Sequence, residues 1–275
     1  MTEYDPDWVK SYFDEFGQRE WERWDVSPVE QIKLEVHLHY LHRYLGADDR
    51  ILEIGAGAGR FTQKLAKISP RIVVADISPV QLELNRENAH ALDYVKCIEQ
   101  WVECDICDLQ PHFDDGEFDA VVCYGGPLSY VFGERERALA ELLRVTKPGG
   151  LLFLGVMSLW GTIHYFLPQV LGLSPALNRA IIATGDLSPK SAASTHFCHM
   201  YRAAELRQVL EAAGAVVEVL SASDCLSATW AERLHDVQQD TATWQHLLEM
   251  EIEACHEPGC LDMGTHLIAV CRVPA

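Results

Sequence analysis

The sequence predicts an α/β fold built on a doubly wound, mostly parallel sheet of seven strands with helices on both faces. Two observations carry this prediction. Short apolar runs alternate with amphipathic stretches of helical length along most of the 275 residues, and the apolar runs are continuous. Continuous apolar runs are typical of strands covered by helices on both faces, and alternating strands and helices form parallel sheets through right-handed crossovers.

Two helices are predicted before the first strand. Residues 7–24 combine aromatic and charged side chains and predict one amphipathic helix. Residues 28–45 predict a second helix, because Ser27-Pro28 provides an N-cap and a proline in the first turn. The aromatic residues of the first helix are Trp8, Tyr12, Phe13, Phe16, Trp21 and Trp24.

Strands and helices then alternate from residue 50 to residue 156. The turn Lys147-Pro148-Gly149-Gly150 separates the last helix of this series from its last strand. Ligands of such sheets bind outside the carboxyl ends of the strands, where the strand order reverses, so the binding site is expected at that edge. The predicted elements are strand 50–54, helix 59–68, strand 71–75, helix 79–92, strands 99–104 and 118–123, helix 134–145 and strand 151–156.

A glycine-rich turn follows the first strand, with glycines at positions 55, 57 and 59. Glycine lets backbone N–H groups approach a ligand where a Cβ would clash, and the next helix directs its N-terminus toward the same ligand. The turn has the spacing G-x-G-x-G, not the G-x-G-x-x-G of a dinucleotide fingerprint, and Glu53 precedes it on the strand. We therefore expect a nucleotide-binding site of another kind.

Asp76 ends the second strand, 21 residues after Gly55. An acidic residue at about this distance from the turn accepts hydrogen bonds from ribose hydroxyls. The alternative is a capping role before the helix that begins at Ser78-Pro79, and the two roles are compatible.

The order of motifs between about residues 45 and 157 resembles the class I S-adenosylmethionine-dependent methyltransferases. The motifs are Glu53 with the glycine turn, Asp76, Asp105, Tyr124 and the turn at 147–150. This resemblance implies a Rossmann-like sheet whose last strand is antiparallel, and S-adenosyl-L-methionine as cofactor with S-adenosyl-L-homocysteine as product. It also implies an acceptor bound beside the end of the fourth strand.

The resemblance implies a role for each matching residue. The glycine turn packs against the amino-acid half of the cofactor, and Glu53 orients the turn and the cofactor's ammonium group. Asp105 takes the adenine amino group, and the backbone N–H of Ile106 meets the ring. The predicted cofactor-binding residues are Glu53, Gly55, Ala56, Gly57, Gly59, Asp76, Ile77, Asp105, Ile106 and Tyr124, with Tyr12 and Trp21 from the first helix if it folds over the cofactor rather than only packing on the domain.

Four residues are candidates for a role in the transfer. A hydroxyl acceptor usually needs a general base, commonly His, and His164 and either His196 or His199 lie in the segment expected to form a lid. An ordinary structural role is the alternative for each histidine. Tyr124 could present its ring face to the cationic sulfonium, because aromatic faces attract cations.

After Val156 the regular alternation ends, with helix 202–213, strand 215–221, a helical stretch at 228–255 and a last strand at 265–273. No repeat or linker divides the chain, so one domain is expected over residues 1–275. Its expected parts are an N-terminal helical cap (1–45), a cofactor-binding core (46–157), a lid insertion (158–200) and a C-terminal part with a helix, hairpin strands and a helical insertion (201–275).

The net charge of −19, from 41 acidic and 22 basic residues, disfavours nucleic acid as a partner. The acidic N-terminus lacks the pattern of a signal peptide, and no apolar run approaches the roughly 20 residues of a membrane span, so we expect a cytoplasmic protein without a membrane partner. Nine cysteines in such a chain indicate neither a disulfide framework nor a zinc site. No metal is expected.

These observations predict an enzyme that transfers a methyl group to an amine or hydroxyl of a small-molecule metabolite by in-line displacement. Carbon methylation is not excluded by the sequence. Two alternatives remain open at this stage: a protein that binds the same cofactor without methyl transfer, as a cyclase or regulator, and a nicotinamide-dependent oxidoreductase.

Overall fold

Seven strands form the main sheet of the computed structural model, which describes residues 3–188 and 196–275. Their order across the sheet is β3-β2-β1-β4-β5-β9-β8, and β9 runs antiparallel to both of its neighbours while the other pairs are parallel. The strands are β1 (Ile51–Ile54), β2 (Ile72–Asp76), β3 (Ile98–Glu103), β4 (Phe118–Cys123), β5 (Thr146–Met157), β8 (Val216–Ala222) and β9 (His266–Arg272), while β6 (Asp186–Leu187) and β7 (Cys198–His199) form a separate pair.

Helices cover both faces of this sheet, and the predicted fold class is confirmed. Leu52 and Ile54 pack into the core on one face, whereas Ile51 packs into the core on the other, as the alternation of side chains along a strand requires. The helices are α1 (Pro6–Phe16), α2 (Arg19–Glu22), α3 (Pro28–Tyr44), α4 (Arg60–Leu65), α5 (Pro79–Ala91), α6 (Pro127–Tyr130), α7 (Arg135–Val145), α8 (Leu159–Tyr165), α9 (Leu167–Leu171), α10 (Pro175–Thr184), α11 (Ala203–Ala212), α12 (Ala231–Val237) and α13 (Thr241–His256).

The strand order places the carboxyl ends of four neighbouring parallel strands at one edge. β1 pairs with β2 on one side, with Leu52 opposite Val73, and with β4 on the other, with Leu52 opposite Val121. The chain order reverses between β1 and β4, so the connections after these two strands diverge and leave a crevice. The residues that end β1 to β4 therefore converge there.

Two predicted helices are interrupted in the structure. The single helix expected over residues 7–24 breaks at Gly17, whose φ of +55° ends α1 before α2 and a short 3₁₀ turn continue the segment. The helical stretch expected at 228–255 is two helices, because the Asp240 side chain accepts a hydrogen bond from Thr243 N at 2.8 Å and starts α13 anew.

The segment between β5 and β7 forms a layer over the carboxyl edge of the sheet. Its helices α8, α9 and α10 follow β5 directly, and their apolar side chains Leu159 and Ile181 pack with Val9 of α1. The N-terminal helices and this helical layer therefore share one small core above the sheet. In the described part of the chain, no helix is long and apolar enough to cross a bilayer.

A buried carboxylate ties α13 to the loop after β8. Glu251 is fully buried and accepts hydrogen bonds from the backbone N–H groups of Cys225 and, at 3.1 Å, Ser227. Both N–H groups lie inside the protein, where a missing partner costs about 1–3 kcal/mol per group. This contact therefore holds the returning chain in place before β9.

We expect Glu251→Ala to lower the free energy of unfolding by about 2–4 kcal/mol, because two buried N–H groups lose their acceptor. The matched control is Glu253→Ala, an exposed position on the same helix, which is expected to change it by less than about 0.5 kcal/mol. Chemical denaturation of the two variants measures the difference. Equal losses would show that the buried carboxylate does not stabilise this loop.

Candidate functional site

A cavity opens at the carboxyl edge of the sheet, where β1 to β4 end, and we call it the sheet-edge cavity. It brings together residues that are far apart in sequence, from the glycine turn, from the ends of β2, β3 and β4, and from the N-terminal segment. Six of the predicted residues line it: Gly55, Gly57, Asp76, Ile77, Asp105 and Ile106.

The glycine turn leaves no room for side chains. Gly55 has a φ of +69°, and a Cβ there would lie 2.2 Å from Pro127 Cγ; a Cβ on Gly57 would lie 2.9 Å from Glu20 Cγ. Two other predicted residues connect the turn to its neighbours. Ala56 N donates a hydrogen bond to Ala75 O of β2 at 3.1 Å, and Gly59 is the N-cap residue of α4. The backbone is thus exposed to the cavity where a ligand can approach it.

Asp76 connects three parts of the site. Its Oδ2 accepts a hydrogen bond from Gly57 N at 2.8 Å and its Oδ1 accepts one from Ser78 N at 2.9 Å. Burial raises its pKa to about 6. The capping role at α5 belongs to Ser78, whose hydroxyl accepts from Gln81 N at 3.0 Å, while the Asp76 carboxylate joins the turn to the end of β2 and still lines the cavity.

Asp105 lies at the far end of the cavity from the glycine turn. Its Oδ1 accepts a hydrogen bond from Cys107 N at 2.8 Å, which orients the carboxylate. Tyr4 lies against it: burial, followed by the neighbouring Asp105 charge, raises the pKa of Tyr4 above its ordinary value. The sequence offered no signal for Tyr4, because its place depends on how the N-terminal segment folds back.

Glu53 lies behind the glycine turn rather than in the cavity. Its side chain is directed to Thr62 of α4, and burial raises its pKa to about 8, so the carboxyl is protonated at neutral pH. Its Oε2 has no hydrogen-bond partner among the described residues. Glu53 thus supports the turn from the core, and it is absent from the described lining of the sheet-edge cavity.

The N-terminal segment covers the cavity with different side chains from those predicted. Tyr12 stacks on Trp8 and on His196, with ring centroids 5.3 and 5.4 Å apart, and Trp21 lies under the guanidinium of Arg60. Neither is among the lining residues; Phe13 and Glu20 line the cavity instead. The break at Gly17 changes the helical phase and so decides which side chains face inward.

Tyr124 lies in the core and not beside the cavity. Only 2% of its surface is exposed, and its ring packs edge-on against His37 and Phe61, with centroids 4.7 and 5.2 Å away. It continues the side-chain alternation of β4 and therefore points to the face covered by α3 and α4. Tyr130 of α6 takes the position at the cavity that the sequence suggested for Tyr124.

A second, larger cavity of about 670 Å³ lies under α8, α9 and α10, and we call it the lid cavity. It comes close to the sheet-edge cavity at the end of β4. Arg23 lines the lid cavity, and its Nη2 lies 4.0 Å from the position that a Cβ on Gly125 would occupy, while Gly125 itself lines the sheet-edge cavity. Cε of Met157, which also lines the lid cavity, lies 3.7 Å from the position that a Cβ on Gly126 would occupy.

The boundary between the two cavities is formed by Tyr130 and His196. Tyr130 lines the sheet-edge cavity, His196 lines the lid cavity, and Tyr130 Oη lies 2.8 Å from His196 Nε2. Burial lowers the pKa of His196 to about 4 and raises that of Tyr130 well above its ordinary value. At neutral pH the phenol is therefore the donor and the neutral imidazole the acceptor.

The other histidines have separate places. His164 is exposed on α8 and is absent from the described lining of both cavities, contrary to its predicted catalytic role. His199 is held by Asp186 and Glu205, at 2.7 and 2.9 Å. His266 at the start of β9 lines the lid cavity. It was not a candidate from the sequence, because a histidine in a strand usually has a structural role.

The match with known proteins is strongest in the core of the sheet. Residues 52–154 match the family model described as a methyltransferase domain. A demethylmenaquinone methyltransferase from Clavibacter sepedonicus is 40% identical over 104 residues, 38% of this chain and 39% of that protein. A ubiquinone biosynthesis O-methyltransferase from Xanthomonas campestris is 31% identical over 120 residues, 40% of this chain and 43% of that protein. The chain thus spans about two-fifths of the length of these relatives.

Solved structures resemble the chain over more of its length. The [4+2]-cyclase SpnF has a TM-score of 0.57 at 22% identity and covers 88% of this chain and 81% of its own. The 1,6-didemethyltoxoflavin-N1-methyltransferase of Burkholderia thailandensis, solved with S-adenosylhomocysteine, has a TM-score of 0.60 at 15% identity and covers 98% and 88%.

At such low identity these structures show the fold alone, whereas the family model and the relatives match the segment that carries the glycine turn, Asp76 and Asp105. Residues 52–154 therefore match a methyltransferase domain, and the match supports a class I methyltransferase with S-adenosyl-L-methionine as cofactor.

Proposed function

We propose that this protein transfers a methyl group from S-adenosylmethionine, bound in the sheet-edge cavity, to a nitrogen or oxygen atom of a small molecule bound in the lid cavity. One observation carries the proposal. The two cavities approach each other at the end of β4, where Arg23 Nη2 lies 4.0 Å from the position that a Cβ on Gly125 would occupy, and the resemblance to the methyltransferases implies transfer at this place. An O-methyltransferase and an N1-methyltransferase among the relatives and neighbours support oxygen and nitrogen as acceptor atoms, while a C-methyltransferase among the relatives keeps carbon as an alternative.

The sheet-edge cavity fits the cofactor. The turn, in which a Cβ on Gly55 or Gly57 would clash, offers its backbone to the amino-acid portion. Two carboxylates after neighbouring strands, Asp76 and Asp105, offer acceptors for ribose hydroxyls and the adenine amino group. When bound, the cofactor supplies an electrophilic methyl group for in-line displacement. The chain's own contribution is to hold both reactants in line, which is worth up to about 7–11 kcal/mol in the best intramolecular cases.

Water exclusion is the second contribution of the protein. Phe13 and Glu20 cover the sheet-edge cavity, and the helices α8 to α10 cover the lid cavity. The acceptor must therefore exchange its hydration shell for protein groups before it reaches the transfer position. Reactive groups held in this way compete with fewer water molecules.

The Tyr130–His196 pair suits an acceptor that carries a proton. The proton of an acceptor hydroxyl or amine can pass to Tyr130 Oη while the Tyr130 proton passes to His196 Nε2. Because burial holds the pKa of His196 near 4, this transfer is unfavourable on its own and has to accompany methyl transfer. An amine that loses its proton after methylation needs the pair less than a hydroxyl does.

We expect Asp76→Ala to weaken the binding of S-adenosylhomocysteine at least about tenfold, since hydrogen bonds to a charged group contribute about 1.5–3 kcal/mol. Asp108→Ala is the control, because Asp108 is exposed and makes only a surface ion pair with Arg137 at 3.8 Å. Isothermal titration gives both affinities, and thermal unfolding without ligand shows whether Asp76→Ala remains folded. Parent-like affinity in Asp76→Ala would refute the ribose role. If the parent protein binds NAD(H) and not S-adenosylhomocysteine, the result supports an oxidoreductase.

The affinity for S-adenosylhomocysteine is expected to fall by up to about tenfold between pH 7.5 and pH 5. The pKa of Asp76 is raised to about 6, so the carboxylate that accepts ribose hydrogen bonds becomes protonated as the pH falls through that value. Glu53 stays mainly protonated over this range, because burial raises its pKa to about 8. Asp76→Asn removes the titrating group and should flatten the profile. A variant that keeps the parent's pH dependence would assign it to another group.

Incubation with S-adenosylmethionine and a panel of amines, phenols and carboxylic acids should add the mass of one methylene unit to at least one compound, detected by mass spectrometry. For a hydroxyl acceptor, His196→Ala is expected to lower the rate about a hundredfold, the usual scale of acid–base assistance. His164→Ala, at an exposed position on the lid, should leave it unchanged. Cofactor binding without a mass gain on a broad panel would favour a cyclase or regulator.

A further inference from the structure

The two walls of the lid cavity differ in chemistry. The outer wall comes from α8 to α10 and their connections, and its side chains include Ile163, Phe166, Val170 and Leu173. Between Met157 and Arg179 the sequence contains no Asp, Glu, Lys or Arg, although the whole chain carries a net charge of −19. The outer wall is thus uncharged and mainly apolar.

The inner wall carries the charged groups of the cavity. Lys33 is 4% exposed and its Nζ lies 2.7 Å from Glu30 Oε1, and both residues line the cavity. Arg23 pairs with Glu20 at 2.8 Å. His266 and His196 complete this wall. Each of these groups has a polar partner, since Tyr130 Oη lies 2.8 Å from His196 Nε2 and Thr265 Oγ1 lies 3.2 Å from His266 Nδ1, and Arg23 places this wall beside the end of β4.

The size and opening of the cavity indicate what it can hold. A volume of about 670 Å³ is in the range of pockets that enclose a whole small ligand. Phe166 both lines the cavity and is 43% exposed, so the cavity reaches the surface beside it. A ligand entering there passes along the apolar wall before its leading end reaches Arg23 and His196.

A polar ligand would fit such a cavity poorly. Thr162, Tyr165, Gln169 and Asn178 also line the outer wall, but most of its lining is apolar and the Asn178 amide already donates to Val170 O at 2.8 Å. Hydrogen-bonding groups placed against its apolar side chains would lose water without gaining partners, whereas hydrocarbon placed there is stabilised in proportion to its buried area. The opposite holds at the inner wall, where a polar end meets donors and acceptors. The cavity therefore distinguishes the two ends of one molecule.

We propose that the lid cavity binds an amphipathic acceptor, with one polar end at the inner wall and a hydrocarbon or aromatic body against the outer wall. This inference rests on the proposed function for one point only, namely that the bound molecule receives the methyl group at its polar end. Its binding mode follows from the cavity alone and is tested without methyl transfer.

The test uses the full chain and the uncharged dye N-phenyl-1-naphthylamine, whose fluorescence rises in apolar surroundings. We expect saturable binding and displacement by decan-1-ol at a concentration about a hundredfold or more below that of butan-1-ol, because each additional buried methylene strengthens binding. Decane-1,10-diol has the same length and a second polar end. It should displace the dye at least about tenfold less well than decan-1-ol, because that end meets the apolar wall.

Two variants on the lid separate cavity binding from surface binding. Leu173→Arg places a charge on the outer wall and is expected to weaken dye binding at least about tenfold. Leu171→Arg adds the same charge at a neighbouring position that is 73% exposed and should bind like the parent. Circular dichroism checks folding, and Leu173→Asn replaces Leu173→Arg if the latter unfolds.

Absence of saturable dye binding would overturn the proposal, as would equal displacement by the diol and the alcohol, or equal binding by the two lid variants. Titration with S-adenosylhomocysteine on the same preparations separates this result from the proposed function. Cofactor binding without dye binding rejects the amphipathic cavity alone. Dye binding without cofactor binding rejects the proposed methyl transfer and leaves the ligand class of the cavity standing.

Discussion

The buried carboxylate of Asp76 is the interaction on which the site depends. Its two hydrogen bonds, to Gly57 N and Ser78 N, join the glycine turn after β1 to the start of α5 after β2. A carboxylate without such donors would not remain at a position that is 6% exposed, and even with them burial raises its pKa to about 6. The same contacts that hold the backbone in place therefore hold an acceptor oriented at the cavity, so the local fold and the binding chemistry share one group.

The second principle of the site is the separation of two cavities by a hydrogen-bonded pair. Tyr130 and His196 come from α6 and from the chain just before β7, and they meet because the helical layer over the sheet packs with α1. Burial keeps both side chains uncharged at neutral pH. The boundary can thus pass a proton without holding a permanent charge beside a cationic cofactor.

Local patterns predicted much of the fold and part of the site. The useful patterns were short-range: continuous apolar runs, glycines in the turn after β1, and carboxylates where strands end. They placed Gly55, Gly57, Asp76 and Asp105 at the carboxyl edge of the sheet, where these residues line the sheet-edge cavity. Side chains whose orientation depends on packing were not predictable in this way. Tyr124 follows the alternation of β4 into the core, and Trp21 lies outside the cavity because Gly17 interrupts the helix.

The sequence by itself determined the sheet, its binding edge and the class of cofactor, because each rests on residues that act within a few positions of one another or at the ends of predictable strands. Only the tertiary structure decided where the lid cavity lies, in which we propose that the acceptor binds. Arg23 and Lys33 lie near the N-terminus, more than 160 residues before His196 and His266, and none of the four belongs to a motif. They form one wall because the 3₁₀ turn before α3, α3 itself, the residue just before Phe197 and β7, and the start of β9 come together at the carboxyl edge of the sheet. That packing depends on the combined burial of many side chains rather than on any local signal.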